Sequence, residues 1–125
     1  MRVKVLLGVT DRRDLLDGQP THPAFSGTNG KIAFARYPRT SAPYEEIYTV
    51  NPDGSGVTRL TGRLGVKQSS VMPAFSPDGT KIAYMRGSSS AQEIVIMDAS
   101  GTELDSFAAP PDTGYSGPAW SPDSI

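Results

Sequence analysis

A chain of 125 residues has room for one ordinary domain, and 37% apolar residues with 13 glycines and 11 prolines fit a turn-rich globular fold, not a disordered polymer. Twelve basic against 13 acidic side chains leave a formal net charge of -1, without the basic excess that draws a protein to nucleic acid or anionic lipid. Cysteine is absent and histidine occurs once, as His22, which removes disulfides, thiolate nucleophiles and cysteine-ligated metals.

The chain opens with "MRVKVLLGVTDRRD". Its apolar stretch from Val5 to Val9 is shorter than the ~7 to 15 residues of a secretory core and charge follows at once, so no signal peptide is read here. No run approaches the ~18 apolar residues of a membrane-spanning helix, and membrane insertion is not expected. Residues 1–21 are read as a leader or as the outer strand of a preceding unit, because "VKVLL" stands before Pro23 much as "TRL" stands before Pro73.

At Pro23 begins "PAFSGTNGKIAFAR", at Pro73 "PAFSPDGTKIAYMR", and at Pro118 "PAWSPDSI". The first two agree at eight of fourteen positions, and the agreement continues as Glu46-Ile47-Tyr48-Thr49-Val50-Asn51 answers to Glu93-Ile94-Val95-Ile96-Met97-Asp98. Gly54 and Gly101 each follow their glutamate by eight residues, and Leu60 and Phe107 follow their glycine by six. The prolines are spaced by 50 and 45 residues, a period that marks solenoids, propellers or arrays. Residues 22–62 are therefore one unit, 71–109 a second, and 117–125 the first strand of a third that is cut short.

Within a unit, the runs from Lys31 and Lys81 and those from Glu46 and Glu93 are rich in Ile, Val, Tyr and Phe and bounded by Gly, Pro, Asn and Asp, the signature of strands. Ser76-Pro77-Asp78-Gly79 and Asn51-Pro52-Asp53-Gly54 carry the chemistry of type I turns, with proline presetting the first central φ. Adding a strand around Ala24 or Ala74 and one near Leu60 or Phe107 gives four antiparallel strands per unit. Ile32-Ala33-Phe34-Ala35 and Ile82-Ala83-Tyr84-Met85 do not alternate apolar with polar, so both faces of each sheet need cover. Sheets of this kind, repeated and stacked face to face, make a β-propeller. The expected fold class is all-β: two four-stranded antiparallel blades plus the start of a third, an incomplete ring, since propellers carry ~4 to 8 blades.

The order proline-alanine-aromatic, Ser-Pro-Asp-Gly, Lys-Ile-Ala-aromatic, then "EIVIMDASG" or "EIYTVNPDGSGVTRLT", resembles the WD40-like (PD40) repeat of TolB-like β-propellers over roughly residues 22 to 125. Two positions depart from that pattern: residues 27–30 replace the Pro-Asp-Gly turn in the first unit, and Ser124 stands where the third should have glycine. The resemblance implies a non-enzymatic module that binds another protein, in a bacterial, periplasmic or extracellular setting, with an envelope lipoprotein as the kind of partner. A different class remains open beside it: the propeller that precedes the catalytic domain in prolyl-oligopeptidase-like serine peptidases, where it would gate substrate access.

No catalytic, cofactor or metal residues are read. Asn51 to Gly56 mimics the opening of a calcium loop, but its twelfth position is Gly62 instead of a bidentate glutamate, so a hairpin turn accounts for it better. Gly114-Tyr115-Ser116-Gly117 brings its second glycine one residue too soon for a nucleophile elbow. His22 precedes the first strand of its unit and is read as a loop residue. Glu46 and Glu93, like Lys31 and Lys81, recur at matched positions and are read as structural; Phe25, Phe75 and Trp120 recur at another and are read as core between sheets.

The two copies differ at one end only. Residues 37–45 form a connection three residues longer than 87–92, and 61–70 has nothing in common with 110–116. Variable loops on a rigid scaffold are where recognition sits. Tyr37, Arg39, Tyr44, Arg63, Lys67 and Tyr115 are the candidate partner-binding residues, most being of types enriched at interfaces. An open-ended pair of sheets is also expected to associate with itself.

Overall fold

The computed structural model describes residues 30–39, 42–62, 67–88, 90–110 and 117–122, and the backbone of 21–25. Eight strands and no helix are found among them: β1 (Thr21–Phe25), β2 (Ile32–Arg36), β3 (Glu46–Val50), β4 (Thr58–Arg59), β5 (Ser69–Phe75), β6 (Lys81–Ser88), β7 (Ala91–Asp98) and β8 (Glu103–Ala108). They form two four-stranded sheets, each antiparallel and each in simple sequence order. The all-β reading holds. The readings of residues 1–20, of the side chains of His22 and Phe25, and of Arg63 and Tyr115 fall outside the described residues.

The repeated sequence is a repeated structure. Two residues between Val71 and Ala74 face one between Met85 and Ala83, a bulge, and the same shift lies between Thr21 and Ala24. Pro73 and Pro23 sit in these bulges, where a residue without an N–H does not break a ladder. Met72, next to Pro73, takes φ +56°. The turn after β5 is closed by Gly79 N–H to Ser76 C=O at 2.8 Å, and the one after β3 by Gly54 N–H to Asn51 C=O at 2.9 Å, as the proline-aspartate-glycine chemistry demands.

Cross-strand pairing shows which side chains share a face. Ala33, Ala35 and Ile47 on the first sheet, with Leu60, meet Phe75, Ile82, Tyr84, Val95 and Met97 on the second in a single buried cluster. β5 lies against β1, β2 and β3, so the two sheets are stacked. The small Ala33 and Ala35 leave room for the large Phe75 and Tyr84 to enter. The second sheet's other face carries Ala83, Ile94, Ile96 and Phe107, the last 50% exposed. Residues 117–122 lie along β5: Trp120 Nε1–H donates to Ala74 C=O at 2.8 Å, half-buried there, while Phe75 is wholly buried.

One sequence expectation is corrected. Residues 87–92, read as a connection, are mostly strand: Gly87 pairs with Gln92 and Ser88 with Ala91. Gly87 has φ +133°, and a Cβ there would meet Ala91 C=O at 2.0 Å, so the glycine is what lets the hairpin continue. In the first sheet β2 ends at Arg36 and β3 begins at Glu46, and no strand lies between them among the described residues. The difference between the units is therefore larger than the sequence spacing implied.

Candidate functional site

The site begins with a change of partners. In β2 and β3, Arg36 stands opposite Glu46, and in β6 and β7 Arg86 stands opposite Glu93. The second pair is bonded, Arg86 Nε to Glu93 at 2.6 Å, and Arg86 Nη1 also reaches Glu103 at 2.9 Å. In the first sheet Glu46 turns away. It accepts a hydrogen bond from the Thr61 hydroxyl and lies 3.7 Å from Arg59 Nη2, while Arg36 stacks its guanidinium 4.5 Å from the Tyr48 ring centroid. Arg36 Nε is buried with no hydrogen-bond partner. Tyr48 in turn stacks on Phe34, centroids 5.7 Å apart.

Alignment of the units explains the exchange. Leu60 and Phe107 correspond, so Arg59, Thr61 and Gly62 answer to Ser106, Ala108 and Ala109: the second unit has no cation at the place of Arg59 and no hydroxyl at the place of Thr61. The Thr61 hydroxyl also accepts Ile47 N–H at 2.8 Å, extending the ladder beyond the two residues of β4. Arg59 is fixed through Nε to Thr61 C=O at 2.9 Å. Gly62 has φ +81°, and a Cβ there would fall 2.3 Å from Arg59 Nη2 and 2.4 Å from Glu46, so this packing needs glycine. Burial pushes the Glu46 carboxyl above its ordinary value, against the opposing pull of the Thr61 hydrogen bond and the Arg59 charge.

Glu46, Arg59 and Gly62 form one side of an open hollow of about 500 Å³ whose other walls come from two loops: Pro38, Arg39, Ala42, Pro43 and Tyr44 from residues 37–45, and Lys67 from the connection to β5. The first loop is braced. Ala42 N–H donates to Arg39 C=O at 2.9 Å, Glu45 N–H to Ser69 Oγ at 3.2 Å, and Ser70 N–H to Glu45 C=O at 2.9 Å. Three of the six candidate residues, Arg39, Tyr44 and Lys67, thus share one concavity. Tyr37 is exposed and does not line it.

A second cavity, of about 350 Å³, lies between the sheets on the other side of Glu46 and is lined by Tyr84, Arg86 and Glu103 among others. Bonds to Glu103 and Glu93 hold Arg86 charged, and burial pushes the Tyr84 phenol up to about 12. Its charges are matched within the fold. The aspartates of the turns are likewise engaged: Asp53 Oδ1 accepts Ser55 N–H and hydroxyl, Asp78 Oδ1 accepts from Ser76 and twice from Thr80, and Asp98 Oδ1 accepts from Ser100 and Thr102. Asp53 therefore completes a turn, as its position after Pro52 leads one to expect.

Sequence reasoning treated Glu46 as structural and passed over Arg59 and Gly62. The signal lies in the alignment around Leu60 and Phe107, where Arg59 and Gly62 meet Ser106 and Ala109 instead of their like.

Over 74 residues, 57% of its length, the chain is 34% identical to a protein named Protein TolB homolog from Chlorobium luteolum, and it spans 15% of that relative's length. No family model matches the chain. No solved structure matches it at comparable stringency.

Proposed function

We propose that this chain is part of a TolB-like β-propeller, a non-enzymatic module that binds another protein at the loop end of its first sheet. In this reading residues 22–62 and 71–109 are successive blades, 117–125 opens a third, and the face bearing Ile94, Ile96 and Phe107 belongs against a further blade. Left open, it draws the chain into self-association. The setting is the bacterial periplasm or beyond, and the partner an envelope protein such as a lipoprotein. Likeness to the TolB homolog and the stacking of two matched sheets support the class.

One observation carries the binding site. Where two copies of a sheet differ, two separate loops bring Arg39, Tyr44 and Lys67 to a common hollow above the Glu46–Arg59–Gly62 packing. Rigid scaffolds present recognition residues on such loops. The test is capture of a partner from an envelope extract by the immobilised protein and by a variant with Arg39, Tyr44 and Lys67 all changed to alanine. The variant is expected to fold and to lose the captured protein; equal capture by both removes the loop end from the account.

A further inference from the structure

We infer that the hollow recognises a carboxylate-rich peptide segment, a reading that rests on the loop-end site proposed above and names the chemistry of its ligand. In a chain of net charge -1, the hollow gathers three cationic side chains, Arg39, Arg59 and Lys67, against one carboxylate, Glu46. That carboxylate is already answered within the fold by Arg59 and Thr61. Arg39 and Lys67 are exposed and form no ion pair among the described residues, and two separate loops bring their charges to one concavity.

The shape favours a peptide over a small anion or a nucleic acid. A hollow of about 500 Å³ is wider than one phosphate needs, and the Arg59 guanidinium that could grip one bidentately spends its Nε on Thr61 C=O and lies against Glu46. What remains is two cations from different loops beside the phenol of Tyr44 and the apolar rings of Pro38 and Pro43. An extended strand that projects alternate side chains to one side, with carboxylates among them, matches such a wall. A nucleic acid requires a longer basic stripe.

The probe is end-blocked hexaglutamate carrying a fluorophore, titrated with the protein at about 10 mM and about 150 mM salt, where the screening length falls from about 30 to about 8 Å. Saturable binding that weakens with salt is expected, with hexaglutamine inert. Reversal of both cations, Arg39→Glu with Lys67→Glu, weakens binding by about tenfold or more, on the scale of two partly screened charge contacts inverted. Lys31→Glu, a single charge reversal outside the hollow, leaves it within about twofold.

Absence of hexaglutamate binding by the unmodified chain overturns the inference, as does binding that the double reversal leaves intact or that hexaglutamine shares. Displacement by inorganic phosphate at concentrations well below those of the peptide assigns the hollow to a phosphate group instead, and overturns it too. The loop-end reading fails separately: the alanine variant then captures partners like the unmodified protein. If that variant loses its partner while the double reversal still binds hexaglutamate normally, only the acidic ligand is wrong.

Discussion

Glu46 and Glu93 occupy the same place in two copies of one sheet, each opposite an arginine, yet only Glu93 keeps that partner. Three residues at the end of the first unit make the difference. Thr61 supplies a hydroxyl, Arg59 a cation and Gly62 the space, and together they draw a nearly buried carboxylate toward the loop end. A charge so placed leaves a signature in stability. Because burial raises the Glu46 carboxyl in the folded state, the native chain binds its proton more readily than the unfolded chain does. The stability it contributes is present below the unfolded value of 4.5 and declines as pH rises through the raised one. Relative to Glu46→Gln, the unmodified chain should therefore lose unfolding free energy between about pH 4 and pH 7, as read by urea denaturation at several pH values. A difference that stays constant, or grows in favour of glutamate with pH, contradicts this placement.

At the scale of strands and turns, the proline-aspartate-glycine turns and the two central strands of each unit were legible because they depend on local chemistry: φ restriction, glycine's freedom, and apolar runs. The length of the β6–β7 hairpin was not. Gly87 and Ser88 read as loop, and only cross-strand pairing, a non-local property, makes them strand. The turn aspartates illustrate the legible part. Asp78 is held down to about 2, first by the Ser76 hydroxyl and then by the Thr80 amide and hydroxyl. With its folded value below the unfolded 3.8, its contribution is present above that value and lost as pH falls toward 2. An Asp78→Ala chain should show a shallower fall in urea midpoint between about pH 4 and pH 2 than the unmodified chain, although it is less stable at pH 7. Equal acid limbs for the two count against the clamp.

At the scale of the whole molecule, stacking of sheets was legible from two-sided apolar strands, and the buried cluster of Ala33, Ala35 and Ile47 with Phe75, Ile82 and Val95 is its realisation. Half of the candidate site was legible too. Length and composition of loops pointed to Arg39, Tyr44 and Lys67, whereas Glu46, Arg59 and Gly62 act through a geometry that appears only once the strand ends are in place. The stack is what fixes that geometry, since β5 both fills the core with Phe75 and braces Glu45 through Ser69 and Ser70. Phe75→Ala should cost about 3 to 5 kcal/mol, a large part of the ~5 to 15 kcal/mol that holds a typical domain, measured by denaturant unfolding. A loss below about 1 kcal/mol is incompatible with Phe75 as the centre of the interface.

The most direct measurement places a photo-activated phenylalanine analogue at position 44 or, separately, at position 107, and irradiates each protein in an envelope extract. Position 44, in the hollow, should yield an adduct with a different protein, and that adduct should vanish when Arg39 and Lys67 are changed to alanine; position 107, on the open sheet face, should yield adducts between copies of the chain. An adduct with a different protein from position 107 and none from position 44 would mean that the sheet face, not the loop end, is where this molecule meets its partner.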